Sequence, residues 1–229
     1  MRYAAVRQGT FLARPNRFLA RVAMDDGVEI CHVKNTGRCR ELLLPGAIVI
    51  LAVAENPKRK TRYDLVAVYK GDMLVNMDSQ APNKAAMEYL PRLFPGVEQI
   101  HPEYTHGNSR LDFYIRTGQR EIFLEVKGCT LEQDGVALFP DAPTERGVKH
   151  LKELAGLARA GYEAYVLFIV QMRGPRYFMP NDAMHPAFGA ALRAAAAQGV
   201  KVLAVDCLVR EDGFVCNQEI PVRLVQTPL

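Results

Sequence analysis

The run Glu121-Ile122-Phe123-Leu124-Glu125-Val126-Lys127, reached from Arg110-Leu111-Asp112-Phe113 through one turn signal, constrains this chain more than any other feature. A strand has a period of two, so Ile122, Leu124 and Val126 share one face while Glu125 and Lys127 share the other. Thr117-Gly118-Gln119 supplies the turn. A two-residue loop at Gly118-Gln119 sets Asp112 opposite Glu125, and a loop at Thr117-Gly118 sets it opposite Phe123. Both registers keep Asp112, Glu125 and Lys127 on one face. Carboxylates held that close repel unless a proton or a cation lies between them, so the arrangement suggests a divalent-metal site and phosphodiester cleavage. An exposed hairpin with the same charges fits the spacing equally well. The alternation predicts a core-packed apolar side and a polar side facing a cleft or solvent.

A chain of 229 residues with 49% apolar content holds one large domain or two smaller ones. No span approaches membrane length. The start, MRYAAVRQGTFLARPNR, has no continuous apolar stretch before a small-residue cleavage site, so a cytoplasmic location is expected. The five cysteines, at 31, 39, 129, 207 and 216, are scattered without a CxxC pair, which argues against a disulfide framework or a zinc ribbon. Cys31-His32 with Cys39 lacks paired spacing and a fourth ligand.

Net charge is +4, unevenly placed: residues 1–80 hold 13 Lys and Arg against 8 Asp and Glu, and residues 81–229 hold 16 against 17. Two basic groups stand out in the front third, Arg14, Arg17 and Arg21, and Lys58, Arg59, Lys60 and Arg62. They suit a polyanionic backbone such as DNA, or simply a solvated surface. The same region reads as five short strands, FLARV, VEICHV, AIVILAVA, DLVAVY and MLVNM, separated by Asp25-Asp26-Gly27, Pro45-Gly46 and Gly71-Asp72. With a short helix predicted at GRCRELL, this pattern is compatible with an OB-like β-barrel over 1–80.

Over 81–229 the periodicity becomes mixed. A helix is predicted from an Asn83 cap to Phe94, with Pro91 kinking or ending it. Three strands follow, through Leu111, through Glu121 and from Val136 to Phe139. A second helix spans Thr144 to Ala160 and ends at Gly161. AYVLFIV is apolar on both faces, as a buried strand after a crossover helix should be, and implies a parallel sheet. A third helix from Ala187 to Gln198 and a strand from Val200 to Asp206 complete an αβββαβ core with an appended αβ unit. His101, Glu103 and His106 fall in a stretch, HPEYTHGNSR, that reads as irregular. Tyr104, Phe113 and Tyr114 suit either base stacking or core packing.

Asn16-Arg17-Phe18-Leu19-Ala20, Asn35-Thr36-Gly37, Arg110-Leu111-Asp112-Phe113, Glu125-Val126-Lys127 and FPDAPTERGVKHLKEL together resemble the sugar fermentation stimulation protein A (SfsA) family over almost the whole chain. The resemblance implies an OB-like domain followed by a PD-(D/E)xK nuclease-like domain, DNA as partner, and a regulatory role linked to sugar metabolism. It gives Asp112, Glu125 and Lys127 the places of the nuclease motif's two acids and lysine, with Glu103 as an additional acid. Leu111 stands where the motif has proline.

If the site is active, Mg²⁺ or Mn²⁺ is expected on Asp112 and Glu125, with Glu103 through water and the Val126 carbonyl as further oxygens. Lys127 would orient water or offset phosphorane charge. Arg146 and Lys149, near the start of the second helix, are expected to face the phosphate, and Glu145 is a candidate for a further acid. Two classes remain open, a DNA-binding regulator and a Mg-dependent nuclease.

Overall fold

Short strands and tight turns close a barrel at the front of the chain. The structure, a computed structural model, describes residues 1–225 except 36, 57 and 108; Thr36 of the Asn35-Thr36-Gly37 motif therefore lies outside the described residues. Strands β1 (Val6–Asn16), β2 (Leu19–Met24), β3 (Gly27–Val33), β4 (Ile48–Val53), β5 (Tyr63–Lys70) and β6 (Met73–Asn76) lie in the order β3-β2-β1-β4-β5-β6. Parallel pairing of His32 and Val33 with Asp64 and Leu65 joins β3 to β5 and closes five strands into an OB-type barrel.

The expected strand number holds, but the membership changes. β6 hangs outside the closure, and β1, unpredicted, takes a barrel position. Phe11 is the one fully buried residue of β1, so the strand shows no apolar alternation to read. GRCRELL is a turn and not a helix. Cys39 adopts φ 44°, and its carbonyl accepts from the amides of both Leu42 and Leu43. A left-handed residue there stops helix propagation.

Helix α1 (Ala81–Leu93) starts earlier than expected and runs through Pro91. Pro82 lies in the first turn, where a missing amide costs nothing, so Gln80 and not Asn83 is the cap. Then come β7 (Gln99–His106), β8 (Ser109–Thr117), β9 (Arg120–Cys129), β10 (Leu131–Gln133), β11 (Val136–Phe139), α2 (Glu145–Arg159), β12 (Glu163–Val170), β13 (Tyr177–Pro180), α3 (Pro186–Ala197), β14 (Lys201–Arg210) and β15 (Gly213–Glu219). The main sheet has the order β15-β14-β12-β9-β8-β7, with β12 parallel to both β9 and β14. The αβββαβ order stands, yet its first strand is the unpredicted β7. β11 instead joins β10 and β13 in a separate small sheet. The HPEYTHGNSR stretch is thus largely an edge strand.

α1 covers one face of the main sheet, packing with Phe113, Ile115, Ile122, Leu124 and Val126. α2 and α3 cover the other, where Leu151, Leu154, Phe188 and Leu192 meet Phe123, Val166 and Phe168. That second core continues into the barrel through Phe11, Val22 and Leu65. Of the two settings the alternation allowed for the polar face of β9, a cleft or open solvent, the structure gives the first: α2 roofs the strand, which pairs parallel with β12 and antiparallel with β8. Thr144 caps α2, its hydroxyl accepting from the Gly147 amide at 3.1 Å. Any side chain at Gly147 would press on Thr144 and the Phe188 ring, which is how α2 and α3 sit so close. Among the described residues no helix is long and apolar enough to cross a membrane.

One carboxylate ties the first residues of three neighbouring strands. Glu163 accepts from Arg120 at 2.5 and 2.9 Å and from Lys201 at 3.0 Å. The Arg120 bond, helped by Lys201 and Tyr165 against partial burial, lowers the Glu163 carboxyl to about 2 from its ordinary 4.5. A depressed carboxyl stabilises the fold above its unfolded value and loses that effect as pH falls through its folded value. Glu163→Gln should therefore lower unfolding free energy by about 1 kcal/mol near neutral pH, less in high salt. Urea titrations should show the two proteins converging between about pH 4.5 and 2.

Candidate functional site

β8 and β9 pair from Thr117↔Arg120 to Phe113↔Leu124, so the loop is Gly118-Gln119, and this register continued one step past the end of the ladder brings Asp112 to Glu125. Gly118 takes φ 60°, as a glycine-first hairpin turn needs. Beyond Phe113 the strand rotates. Phe113 packs beneath α1 with Leu124 and Val126, whereas Leu111, two residues away, joins Phe123 in the opposite core. Asp112 lies at that rotation and is freed from simple alternation. One of its oxygens accepts from the Val126 amide at 2.8 Å and the other from the Asn83 side chain at 2.8 Å.

Glu125 is only 2% exposed. Its Oε1 is shared by the Lys127 ammonium and by Nδ1 of His150 on α2. Arg146 donates from Nε to Nε2 of the same ring at 3.3 Å, which places the neutral ring's proton on Nδ1, pointing at Glu125. Oε2 of Glu125 has no hydrogen-bond partner among the described residues although it is buried. Burial and the nearby Glu125 charge push the Asp112 carboxyl up, while the Val126 amide and Asn83 pull it partly back. Burial alone would raise Glu125 too, but the His150 bond and Lys127 outweigh it and hold that carboxyl below its usual value. Two adjacent acids are thus driven apart.

The pair opens into a cleft of about 1030 Å³ between α1 and α2, whose walls include Asn83, Val126, Lys127 and Arg146. Glu103 also lines this cleft, but its carboxylate lies on Arg110 at 2.6 Å and is largely exposed. Glu103 is kinked at φ 52° on β7. Glu145 contacts His185 at 3.2 Å instead of the acids, and Lys149 pairs along its helix with Glu153 at 3.6 Å. The structure therefore brings Asp112, Glu125, Lys127 and Arg146 to one cleft and points Glu103, Glu145 and Lys149 at other partners. Among the described residues no set of three His, Cys, Asp or Glu side chains converges in metal-binding geometry.

Two contributors were not identified from the sequence as partners of the acids. Asn83, read as a helix cap, holds Asp112. His150 falls on the inward stripe of α2 with Gly147, Leu151 and Leu154, and a polar residue at that helical spacing was the available signal. His101 packs on Tyr104 and Tyr114, His106 on Phe123 and Tyr162, and Phe113 is core. Tyr104 and Tyr114 stack on each other at 4.6 Å.

The basic residues of the barrel divide sharply. Arg14 turns inward and donates to the carbonyls of Gly37 and Arg38 (both 2.9 Å) and of Arg17 and Asn35 (both 2.7 Å). Arg59 forms a two-pronged pair with Asp64 at 2.7 and 2.9 Å, and Asp64 also meets His32. Arg17, Arg21, Lys58, Lys60 and Arg62 are exposed, with Arg17 over the Phe18 ring and Arg62 over Tyr63.

Residues 12–77 match the SfsA N-terminal OB domain family, and residues 80–213 match the sugar fermentation stimulation protein RE domain family. The chain is similar to a sugar fermentation stimulation protein homolog of Desulfitobacterium hafniense, 58% identical over 99% of this chain and 100% of the relative. It is 50% identical to a homolog from Ruminiclostridium cellulolyticum over 98% and 100%. Its fold is similar to a solved structure of Pyrococcus furiosus SfsA in complex with Ca²⁺, with a TM-score of 0.86, 30% identity, and coverage of 97% of this chain and 98% of that one.

Because Arg14 satisfies four carbonyls, Arg14→Ala should cost about 2 kcal/mol of stability. Arg21→Ala, at an exposed position, should stay within about 0.5 kcal/mol of the parent. Equal urea midpoints for the two variants would overturn this division.

Proposed function

The chain belongs to the sugar fermentation stimulation protein (SfsA) family, and from that premise we propose that it binds DNA and hydrolyses its phosphodiesters with a divalent cation held by Asp112 and Glu125. The observation that carries this reading is Glu125 Oε2, buried at the cleft beside a second carboxylate and without a partner among the described residues. A buried carboxylate oxygen left unpaired is costly, and a cation would satisfy it. Two carboxylates and the Val126 carbonyl are hard oxygen donors and suit Mg²⁺ or Mn²⁺, ions that keep several waters. The family relative solved with Ca²⁺ adds weight, since Ca²⁺ also seeks oxygen ligands.

When bound, such an ion supplies Lewis-acid stabilisation of phosphate charge and a more acidic water. Around it the chain's own groups have separate tasks. Asn83 and the Val126 amide fix the direction of the Asp112 carboxylate. His150 fixes Glu125 from above, through Oε1, and leaves Oε2 free. Lys127 brings a positive charge into the cleft, where it offsets negative charge building on the phosphate oxygens. Arg146, beside it, is a second cation for the same phosphate or its neighbour. Arg17, Arg21, Lys58, Lys60 and Arg62 hold the DNA backbone by charge.

A second reading is favoured by one contact. Lys127 is bonded to Glu125, and a lysine kept on that carboxylate is not available to a phosphate. The protein would then be a DNA-binding regulator linked to sugar metabolism, with an ion site and no turnover.

Mg²⁺ or Mn²⁺ at about a hundredfold excess over its dissociation constant should stabilise the protein by about 2.7 kcal/mol. Asp112→Asn and Glu125→Gln should each remove most of that gain in a melting assay. No ion-dependent stabilisation of the parent protein would remove the metal from the proposal. Labelled single- and double-stranded DNA should be cut with Mg²⁺ or Mn²⁺ and spared with chelator. Lys127→Met should slow cutting by roughly 10² to 10³ while leaving DNA affinity nearly unchanged. Each of Arg17→Ala, Arg21→Ala and Arg62→Ala should instead reduce the salt dependence of binding by about one unit. A parent protein as inactive as Lys127→Met on every DNA with every ion would leave the regulator.

A further inference from the structure

Two thiols outside the cleft face each other across β14 and β15. Cys207 and Cys216 are direct register partners in that antiparallel pair. The Cys207 amide donates to the Met172 carbonyl at 3.1 Å, away from β15, so this is a non-hydrogen-bonded pair, the kind in which opposed side chains come closest. Their Cα separation in such a pair, about 4.5 Å, lies inside the range a disulfide spans. The register cannot easily slip. Just before Cys207 the ladder is irregular, and there buried Asp206 accepts from the Asn217 side chain and the Gln218 amide, both at 3.0 Å. Both cysteines are reduced.

We propose that Cys207 and Cys216 form a reversible disulfide when the folded protein meets hydrogen peroxide, which makes this pair a redox modification site distinct from the nuclease-like cleft. Cys216 is half-exposed and Cys207 fully buried, so Cys216 reacts first. Its sulfur attacks one peroxide oxygen, the O–O bond breaks, water departs, and a sulfenic acid remains. The Cys207 sulfur then attacks the Cys216 sulfur, the S–O bond breaks, and a second water leaves with the Cys207 proton. Two thiols have lost two electrons and one peroxide has gained them. Burial, with Cys216 alongside, raises the Cys207 thiol well above its usual value, which keeps it from the first attack; its place directly opposite Cys216 is what makes it the resolving thiol. Cys216 Sγ faces the Ala85 carbonyl of α1 at 3.7 Å, and Asn83 on the same helix holds Asp112. The bond would thus staple the hairpin directly behind the cleft's α1 wall.

The test uses the whole folded chain. After brief peroxide treatment and alkylation of remaining thiols, trypsin digestion without reductant should yield the Cys207 and Cys216 peptides joined, because Arg210 between them is a cleavage point. Their joint mass should be about two units below that of the two thiol peptides, and dithiothreitol should separate them. The oxidised protein should also melt at a higher temperature, since the loop is closed in the unfolded chain. In Cys216→Ser, at the half-exposed position, no joined peptide should form. In Cys207→Ser, the Cys216 sulfenic acid should persist and be trapped by dimedone. Sulfinic or sulfonic acid at Cys216 with an intact Cys207 thiol in the parent protein would overturn the proposal, as would Cys216 joined to a second chain.

Discussion

A carboxylate with almost no exposure must find partners or lose its charge, and Glu125 meets that demand in the middle of the main sheet. β9, which carries it, needs β8 on one side and β12 on the other, so Glu125 acquires its environment only when hairpin and crossover are both in place. α2 must then lie over the strand at a depth that brings His150 onto Oε1. The Thr144 cap fixes where α2 begins, and the bare Gly147 lets it pack tightly on Phe188 of α3. Lys127 and His150 together hold the carboxylate ionised beside a neighbour whose own proton is held more firmly.

Positive charge in the barrel serves two ends that composition does not separate. Arg14 is part of the scaffold. Its planar fork gathers carbonyls from the β1–β2 turn and the segment after β3, which could not all be satisfied by the backbone itself. Arg59 neutralises Asp64, a buried acid next to the β3–β5 closure. Lys34 and Lys70 are likewise held on Asp78 and Glu132, while Arg17, Arg21, Lys58, Lys60 and Arg62 project outward, so the outward charge is smaller than a count of basic residues suggests.

Much of this arrangement was legible in the chain because its signals are local. Thr117-Gly118-Gln119 allowed two registers, both of which kept Asp112, Glu125 and Lys127 on one face, and the ladder selects the Gly118-Gln119 loop. Thr144 and Gly161 bracketed α2, and the two-sided apolarity of β12 announced a parallel neighbour. What escaped were elements with no apolar rhythm. β1 buries one residue, β7 carries Pro102 and the left-handed Glu103, and β15 is mostly polar at an edge. Each is a strand because neighbours offer hydrogen bonds and not because its side chains demand burial. The same limit applies at the site. Asn83 and His150 reach the acids from distant helices, and sequence spacing carries no record of that docking. β15, once placed, also turns two scattered cysteines into opposed ones.

The ladder that stops at Phe113↔Leu124 has a consequence for how the protein assembles. Asp112 and Glu125 are separated by a short hairpin, a contact of low sequence separation that closes on the microsecond scale. The parallel β9–β12 pairing and the arrival of His150 need a longer crossover and must come later. During synthesis and refolding the two acids would therefore meet before anything roofs them, and their mutual repulsion would act on the nascent hairpin. If the ion of the proposed function binds there, its presence at that stage should shorten the refolding time by acting as a template for the chain.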